Sequence, residues 1–299
     1  MDYHNPVLLK ESVDALEIKP DGIYVDVTFG GGGHSREILS RLGENGKLFA
    51  FDQDPDAHEN AIDDPRFTLI PQNFRYIHRF LRFYGAAKVD GVLGDFGVSS
   101  HQFDAAERGF STRFDAELDM RMDQKSDVSA KTIINHFDQE RLANILFQFG
   151  ELRNARAMAK VIVAARTETP INTSFQLKEV LAQFLPQAKE HKILAQIFQA
   201  LRIEVNEELE VLKEFMTQIP LVLKEEGRLS VISYHSLEDR LVKRFIQKGM
   251  FEGEPEKDFY GNFSVPMEKV GKLILPTKEE IKVNNRARSA KLRIAKLKN

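Results

Sequence analysis

From residue 23 to about residue 104, short unbroken apolar runs alternate with stretches whose apolar residues recur every three or four positions. The runs at 23–29, Lys47–Phe51, Phe67–Ile70 and Val89–Gly94 predict four strands. Between them, Arg36–Leu42 predicts a helix with Ser35 near its cap and Gly43 and Gly46 as its stop. A further helix is expected to run from beyond Asn73-Phe74 through Phe83. Strands regularly separated by helices imply an α/β fold with a parallel, doubly wound sheet. In such a sheet the ligand site opens at the C-terminal ends of the strands.

The alternation then stops. Thr132–Phe149 places Ile133, Ile134, Phe137, Leu142, Ile145, Leu146 and Phe149 at helical spacing, and Ala155–Arg166 and Ser174–Leu185 continue the pattern between Pro170 and Pro186. These stretches predict an all-helical domain, residues 111–192, inserted between two parts of the sheet domain at 1–110 and 193–299. A long helix over Ile193–Met216 carries the stripe Phe198, Leu201, Val205, Leu209 and Leu212. Gln199, Arg202 and Asn206 share another of its faces, for which plain solvation and a specific role are equally good explanations. A strand returns at Gly227–Ile232 and ends in Ser233-Tyr234-His235-Ser236. Ser236-x-x-Asp239 has the form of a capping box, whereas His235 has no such structural explanation. Residues 251–271 read as irregular, and Lys272–Leu275 and Ala290–Leu297 as closing strands.

The chemistry concentrates at Val25-Asp26-Val27-Thr28-Phe29-Gly30-Gly31-Gly32-Gly33-His34-Ser35, a strand, a glycine turn and a helix start. Such a turn brings a nucleotide-like ligand against backbone N–H groups, although a plain Gly-rich turn explains the stretch by itself. Asp52 lies 19 residues beyond Gly33, close to the ~20-residue spacing at which an acid receives ribose hydroxyls. The third glycine of the dinucleotide fingerprint is replaced by Ser35, and no Gly-Lys-Ser/Thr of a phosphate loop is present. Asp26, Asp52, Asp54 and Asp95 collect around the turn, and an acid-rich site suits a cationic nucleoside better than a diphosphate. S-adenosylmethionine, a sulfonium, fits that description, and methyl transfer follows.

Composition narrows the rest. The chain has 299 residues and no cysteine, which excludes disulfides, thiolate metal sites and a cysteine nucleophile. Net charge is −3, yet Lys282, Arg286, Arg288, Lys291, Arg293, Lys296 and Lys298 put seven cations and no acid after residue 281, leaving −10 for the remainder. A basic end on an acidic protein points to a polyanion partner, while Leu292, Ile294 and Leu297 also fit a strand with a solvated face, and the two readings are compatible. Neither a leader nor a membrane span is expected, and the cytoplasm is the default location.

Several blocks together carry a resemblance. They are Asp26–Ser35, Asp95-Phe96-Gly97-Val98-Ser99-Ser100, Arg108-Gly109-Phe110-Ser111, Leu118-Asp119-Met120-Arg121-Met122-Asp123, Phe198-Gln199-Ala200-Leu201-Arg202-Ile203, His235-Ser236-Leu237-Glu238-Asp239-Arg240 and Asn285-Arg286-Ala287-Arg288-Ser289. They resemble the ribosomal RNA small-subunit methyltransferase H (MraW) family from Pro6 to Arg293. The resemblance implies a class I methyltransferase fold with a helical insert. It also implies S-adenosylmethionine-dependent methylation of the N4 amine of a decoding-centre cytidine in 16S rRNA, within the small ribosomal subunit. By position, the cofactor contacts would be Gly32, Gly33, His34, Asp52, Phe74, Asp95 and Gln102. Asp52 would take the ribose, Phe74 and Asp95 would flank the adenine, and Gln102 would close the pocket. The sequence departs from the family pattern at His101, Leu152, Gln196 and Asn285. An N-methyltransferase of another RNA or of DNA, and a non-catalytic cofactor-binding assembly factor, are the alternatives.

The cytosine amine is a weak nucleophile, so placement, acceptors for its hydrogens and a proton sink are required. Asp95 and the Ser99/Ser100 loop are the expected acceptors, and His235 the expected proton carrier. Asp119 and Arg121 are expected to shape the pocket, and Arg286 and Arg288 to hold flanking phosphates. The expectation includes no metal and no membrane partner, and a monomer or homodimer.

Overall fold

The structure is a computed structural model that describes residues 6–298, and of Ser100 the backbone alone. It divides into two units, Met1–Gly97 with Leu209–Asn299, and Val98–Glu208.

The first unit opens with α1 (Leu9–Asp14), β1 (Ile23–Asp26), α2 (Gly33–Arg41), β2 (Lys47–Phe51), α3 (Pro55–His58), β3 (Phe67–Ile70), α4 (Ile77–Phe83) and β4 (Val89–Asp95). The chain then forms the second unit with α5 (Ser100–Asp104), α6 (Ala130–His136), α7 (Gln139–Gln148), α8 (Ala155–Glu168), α9 (Ser174–Val180) and α10 (Glu190–Val205). It returns through α11 (Glu208–Val222), β5 (Leu223–Ser233), α12 (Ser236–Lys248), β6 (Met267–Ile274), α13 (Lys278–Val283) and β7 (Lys291–Leu297).

The seven strands form one sheet in the order β3-β2-β1-β4-β5-β7-β6. β1 to β5 are parallel to their neighbours, but β7 runs antiparallel to both β5 and β6. The sheet is therefore mixed, not wholly parallel, at its C-terminal edge. One face is covered by Ile77 and Leu81 of α4 and by Leu212, Phe215, Met216 and Ile219 of α11. The other receives Val13 and Leu16 near α1, with Ile38 and Leu39 of α2, against Tyr24, Leu48 and Leu93. Full burial of each such side chain contributes about 1.5–3 kcal/mol, which is why the central strands read as unbroken apolar runs.

Four expectations are corrected here. The second unit takes in 98–110 and 193–208 besides 111–192, because α10 turns Leu194, Ile197, Phe198, Leu201 and Val205 into its helical core. The single helix over Ile193–Met216 is two, broken where Glu207 adopts φ +49°. Asn206 marks the break: it accepts from the Met122 N–H at 2.8 Å and donates to the Met120 carbonyl at 2.8 Å. Thr132–Phe149 is likewise split, with Asp138 capping α7 through the Arg141 N–H. Last, β6 begins at Met267, inside the stretch expected to be irregular.

One glycine of the second unit is there for space as well as for dihedral. Gly109 sits at φ +72°, and a Cβ on it would lie 2.3 Å from the Glu117 carbonyl oxygen. That close passage brings Met120 N–H onto the Arg108 carbonyl at 3.0 Å and the Arg108 guanidinium onto the Arg121 carbonyl at 3.0 Å.

Candidate functional site

The site of the first unit lies where β1, β2 and β4 end side by side. After β1 the chain turns through Gly30 at φ +50° and Gly32 at φ +75° and enters α2 at Gly33. Ser35 is thus not the cap: its hydroxyl donates to the Asp26 carboxylate at 2.7 Å. The Thr28 N–H also donates to Asp26, at 3.1 Å, and burial raises the Asp26 pKa against these hydrogen bonds. The turn is held from outside by Asn60 Nδ2 on the Gly30 carbonyl at 3.1 Å and by Arg36 on the Gly31 carbonyl at 2.6 Å. A Cβ on Gly33 would meet Pro6 at 2.2 Å. Among the described residues, no backbone acceptor takes the N–H of Gly31, Gly33 or His34. The turn and the first residues of α2 therefore present unsatisfied donors, the arrangement that receives a carboxylate.

Asp52 follows β2 directly. Its two carboxylate oxygens accept the Gly30 N–H at 2.8 Å and the Asp54 N–H at 2.9 Å, which fixes the group beside the glycine turn and leaves a lone pair on each oxygen. Burial pushes its pKa up to about 6, moderated by those two hydrogen bonds. Phe74 stands after β3, placed next to the β2 terminus by the Asn73–Gln53 hydrogen bond at 2.8 Å. Its ring is braced against Phe215 and Phe96 with centroids 5.3 and 5.8 Å away.

Asp95 closes β4. Its N–H donates to Thr28 Oγ1 at 2.6 Å, which ties the ends of β4 and β1 together. Its Oδ1 accepts the Tyr234 hydroxyl at 2.7 Å, and its Oδ2 lies 4.0 Å from His34 Nδ1. Burial raises the Asp95 pKa to about 6, with His34 and Tyr234 pulling it down and Asp26 and Glu238 pushing it up. About 22% of the Asp95 side chain remains exposed, enough for a ligand to reach it. His34 itself is buried, with Nε2 at 3.3 Å from the Val7 carbonyl, and burial holds its pKa below the ordinary histidine range. Tyr234 has its pKa raised well above the ordinary phenol by burial and by Asp95, so it stays a donor.

Gly32, Gly33, His34, Asp52, Phe74 and Asp95 are thus carried by neighbouring strand ends of one unit. This arrangement fits S-adenosylmethionine: donors for a carboxylate, an acceptor for hydroxyls, an aromatic face and an acid for positive charge.

His235 does have a structural explanation. It is the N-cap of α12: its Nδ1 accepts the Glu238 N–H at 3.3 Å, and Glu238 Oε2 accepts the N–H groups of Tyr234 at 2.9 Å and His235 at 3.3 Å. The capping box is therefore His235/Glu238, one residue earlier than Ser236/Asp239. Asp239 instead pairs with Arg293 at 2.7 Å and Lys291 at 3.2 Å. Tyr234 and Glu238 were not singled out by sequence, since nothing local signals that a residue near 234 meets Asp95.

In the second unit, Ser99 and Gln102 form the capping box of α5, with the Ser99 N–H donating to Gln102 Oε1 at 3.1 Å. The Ser100 side chain lies outside the described residues. Asp119 and Arg121 form a two-point ion pair at 2.6 and 2.9 Å, and Arg121 also donates to the Ser126 carbonyl at 2.7 Å. The polar face of α10 is not merely solvated: Gln199 donates to the Phe149 carbonyl at 2.9 Å, and Arg202 pairs with Glu208 at 2.7 Å. Of the departures, Leu152 is buried and Gln196 donates to the Gly150 carbonyl at 2.9 Å. Back in the first unit, Arg286 lies in the short 3₁₀ turn Asn285–Ser289 and Arg288 is exposed there. No helix among the described residues is long and apolar enough to cross a membrane.

A family model described as the MraW methylase family matches residues 1–298. The ribosomal RNA small subunit methyltransferase H of Flavobacterium johnsoniae is 68% identical over 295 residues, covering 99% of this chain and 98% of that one. Its counterpart in Christiangramia forsetii is 67% identical over 296 residues, with 99% and 98% covered. That of Cytophaga hutchinsonii is 61% identical over 295 residues, with 98% and 99% covered.

Proposed function

Because the chain belongs to the MraW methylase family, we propose that it methylates the N4 amine of a decoding-centre cytidine in 16S rRNA of the small ribosomal subunit, in the cytoplasm. Relatives named as small-subunit rRNA methyltransferases over nearly their whole length support the RNA substrate. The observation that carries the chemistry is Asp95, an acid at the end of β4 with a pKa of about 6, beside the glycine turn.

S-adenosylmethionine, when bound, supplies an electrophilic methyl group on a sulfonium. The free N–H groups at Gly31 and Gly33 hold its carboxylate, Asp52 accepts its ribose hydroxyls, and Phe74 covers its adenine. Asp95 accepts a hydrogen of the target amine. Ionised at neutral pH, yet more basic than an ordinary carboxylate, it orients the amine and then holds the proton it sheds. Tyr234 keeps one oxygen of Asp95 engaged and so leaves the other for the amine. Gln102 serves as a cofactor contact and Ser99, Ser100, Asp119 and Arg121 as substrate contacts, and Arg286 and Arg288 take flanking phosphates. Mass mapping of methylated nucleosides in 16S rRNA, with and without the gene, tests the whole reading. Loss of N4-methylcytidine at a single decoding-centre position is the expected result. An unchanged 16S map with loss elsewhere would overturn it.

For His235 the geometry favours the cap over the proton path. His235→Asn keeps a capping acceptor but cannot carry a proton, so stability is expected to change by less than about 0.5 kcal/mol. Single-turnover methylation is expected to keep its rate. A tenfold slower reaction in a variant of unchanged melting temperature would return the ring to the chemistry.

A further inference from the structure

The C-terminal edge of the sheet carries a second cationic feature, separate from the methyl-donor site. Between Val270 opposite Ile294 and Ile274 opposite Leu292, the residues Gly271, Lys272 and Leu273 of β6 face only Arg293 of β7. Gly271 supplies the left-handed φ of +63° that such a bulge needs. Beside this bulge, a shallow open recess lies between the strands and α12. Its walls are Lys243 and Gln247 of α12, Lys269 and Lys272 of β6 and Arg293 of β7, over a floor that includes Ile246 and Leu273. No acid lines it. Arg293 is paired with Asp239, but Lys243, Lys269 and Lys272 are exposed and make no ion pair among the described residues.

The register places this cleft relative to Asp95. Asp95 pairs with Ile232, Ile232 with Leu292, and Leu292 with Ile274, so one row crosses the sheet from the end of β4 to the residue after the bulge. Three strand spacings separate the two ends of that row, roughly 14 Å at about 4.8 Å each. That is too far for the phosphate of a base lying against Asp95 and suits one farther along the same strand.

We propose that this cleft binds a backbone phosphate of the RNA flanking the target cytidine. The inference rests on the RNA substrate proposed above and assigns it a contact beyond Arg286 and Arg288. Lysine ammonium groups on flexible stems meet phosphate as point charges, and three of them around one recess hold a phosphate in any sequence context.

The test is equilibrium binding of a small-subunit rRNA fragment containing the target loop, to the full chain and to the triple variant Lys243→Glu, Lys269→Glu, Lys272→Glu. Binding is measured from 50 to 200 mM salt, with S-adenosylmethionine affinity and melting temperature as controls of the fold. The variant is expected to bind RNA at least tenfold more weakly at about 100 mM salt. Its salt dependence is expected to flatten by about 0.7 in log–log slope for each phosphate that the protein no longer neutralises. Lys→Gln replacements at the same positions are expected to fall between. Wild-type RNA affinity and slope in a folded triple variant overturn the cleft's role while leaving the substrate intact. A wild-type protein that fails to bind the fragment overturns the substrate reading and the cleft with it. Saturable binding of inorganic phosphate or of an acidic peptide at the three lysines, with RNA affinity unchanged, reassigns the cleft and overturns the proposal.

Discussion

Replacement of Asp52 by alanine is expected to weaken S-adenosylmethionine binding about 100-fold, read by calorimetry on the free enzyme. The carboxylate already takes the Gly30 and Asp54 N–H groups, so its loss removes the ribose acceptors and loosens the glycine turn at once. Hydrogen bonds to a charged group contribute about 1.5–3 kcal/mol, and 1.4 kcal/mol is tenfold in affinity. Asp52→Asn keeps one carbonyl acceptor and is expected to lose less. The pKa of about 6 sets the sign of the pH effect. The ionised acid is the better acceptor, protonation competes with the ligand, and affinity falls as pH drops through 6. An alanine variant of wild-type affinity, or an affinity flat between pH 5 and 7, would remove Asp52 from the cofactor site.

The second large effect belongs to Asp95. Asp95→Asn is expected to slow single-turnover methylation by about 10²–10⁴-fold, the range removed with a positioned proton acceptor. In the wild type the rate should rise with pH and level off above about 6, since only the ionised carboxylate accepts. Tyr234→Phe tests the assignment without touching the acid. The phenol donates to Asp95 Oδ1 at 2.7 Å and lowers its pKa. Its removal should therefore shift the pH–rate curve towards alkaline pH while leaving the plateau rate within a few-fold. A tyrosine variant with the same curve, only slower throughout, would mean that the phenol shapes the pocket and does not tune the acid.

How far these sites could be read in advance depended on how local their causes are. β1, β2 and β4 are mostly buried, so apolar runs alone located them, and the glycine turn with Asp52 followed from a spacing set within one βαβ unit. The extent of the insert was not legible. Amphipathic periodicity says that α10 has an apolar face but not which core it enters, and that face packs with Ile133 and Leu146. The break at Glu207 has no glycine or proline to announce it; a positive φ on glutamate is held there by the Asn206 hydrogen bonds. The cap of α12 was misplaced by one residue because serine is a far commoner cap than histidine. The start of β6 was hidden because its bulge destroys the period-two pattern around Gly271. Tyr234 was missed because its partner stands on another strand, with the whole second unit between them in the chain.

That interruption also has a consequence for the order of synthesis. Apart from Gln102, everything that holds the cofactor in this reading, from the glycine turn through Asp52 and Phe74 to Asp95 itself, precedes residue 97. β5, which pairs with β4 from Leu223 onward, emerges only after the insert has been made. At 5–20 residues per second, the ribosome delivers those later residues several seconds after Asp95. Closing the gap costs only slowly growing loop entropy, about 0.6 kcal/mol per doubling of length. A nascent chain halted before β5 would then own the groups that grip the methyl donor, with Asp95 still lacking the Tyr234 hydroxyl that lowers its pKa.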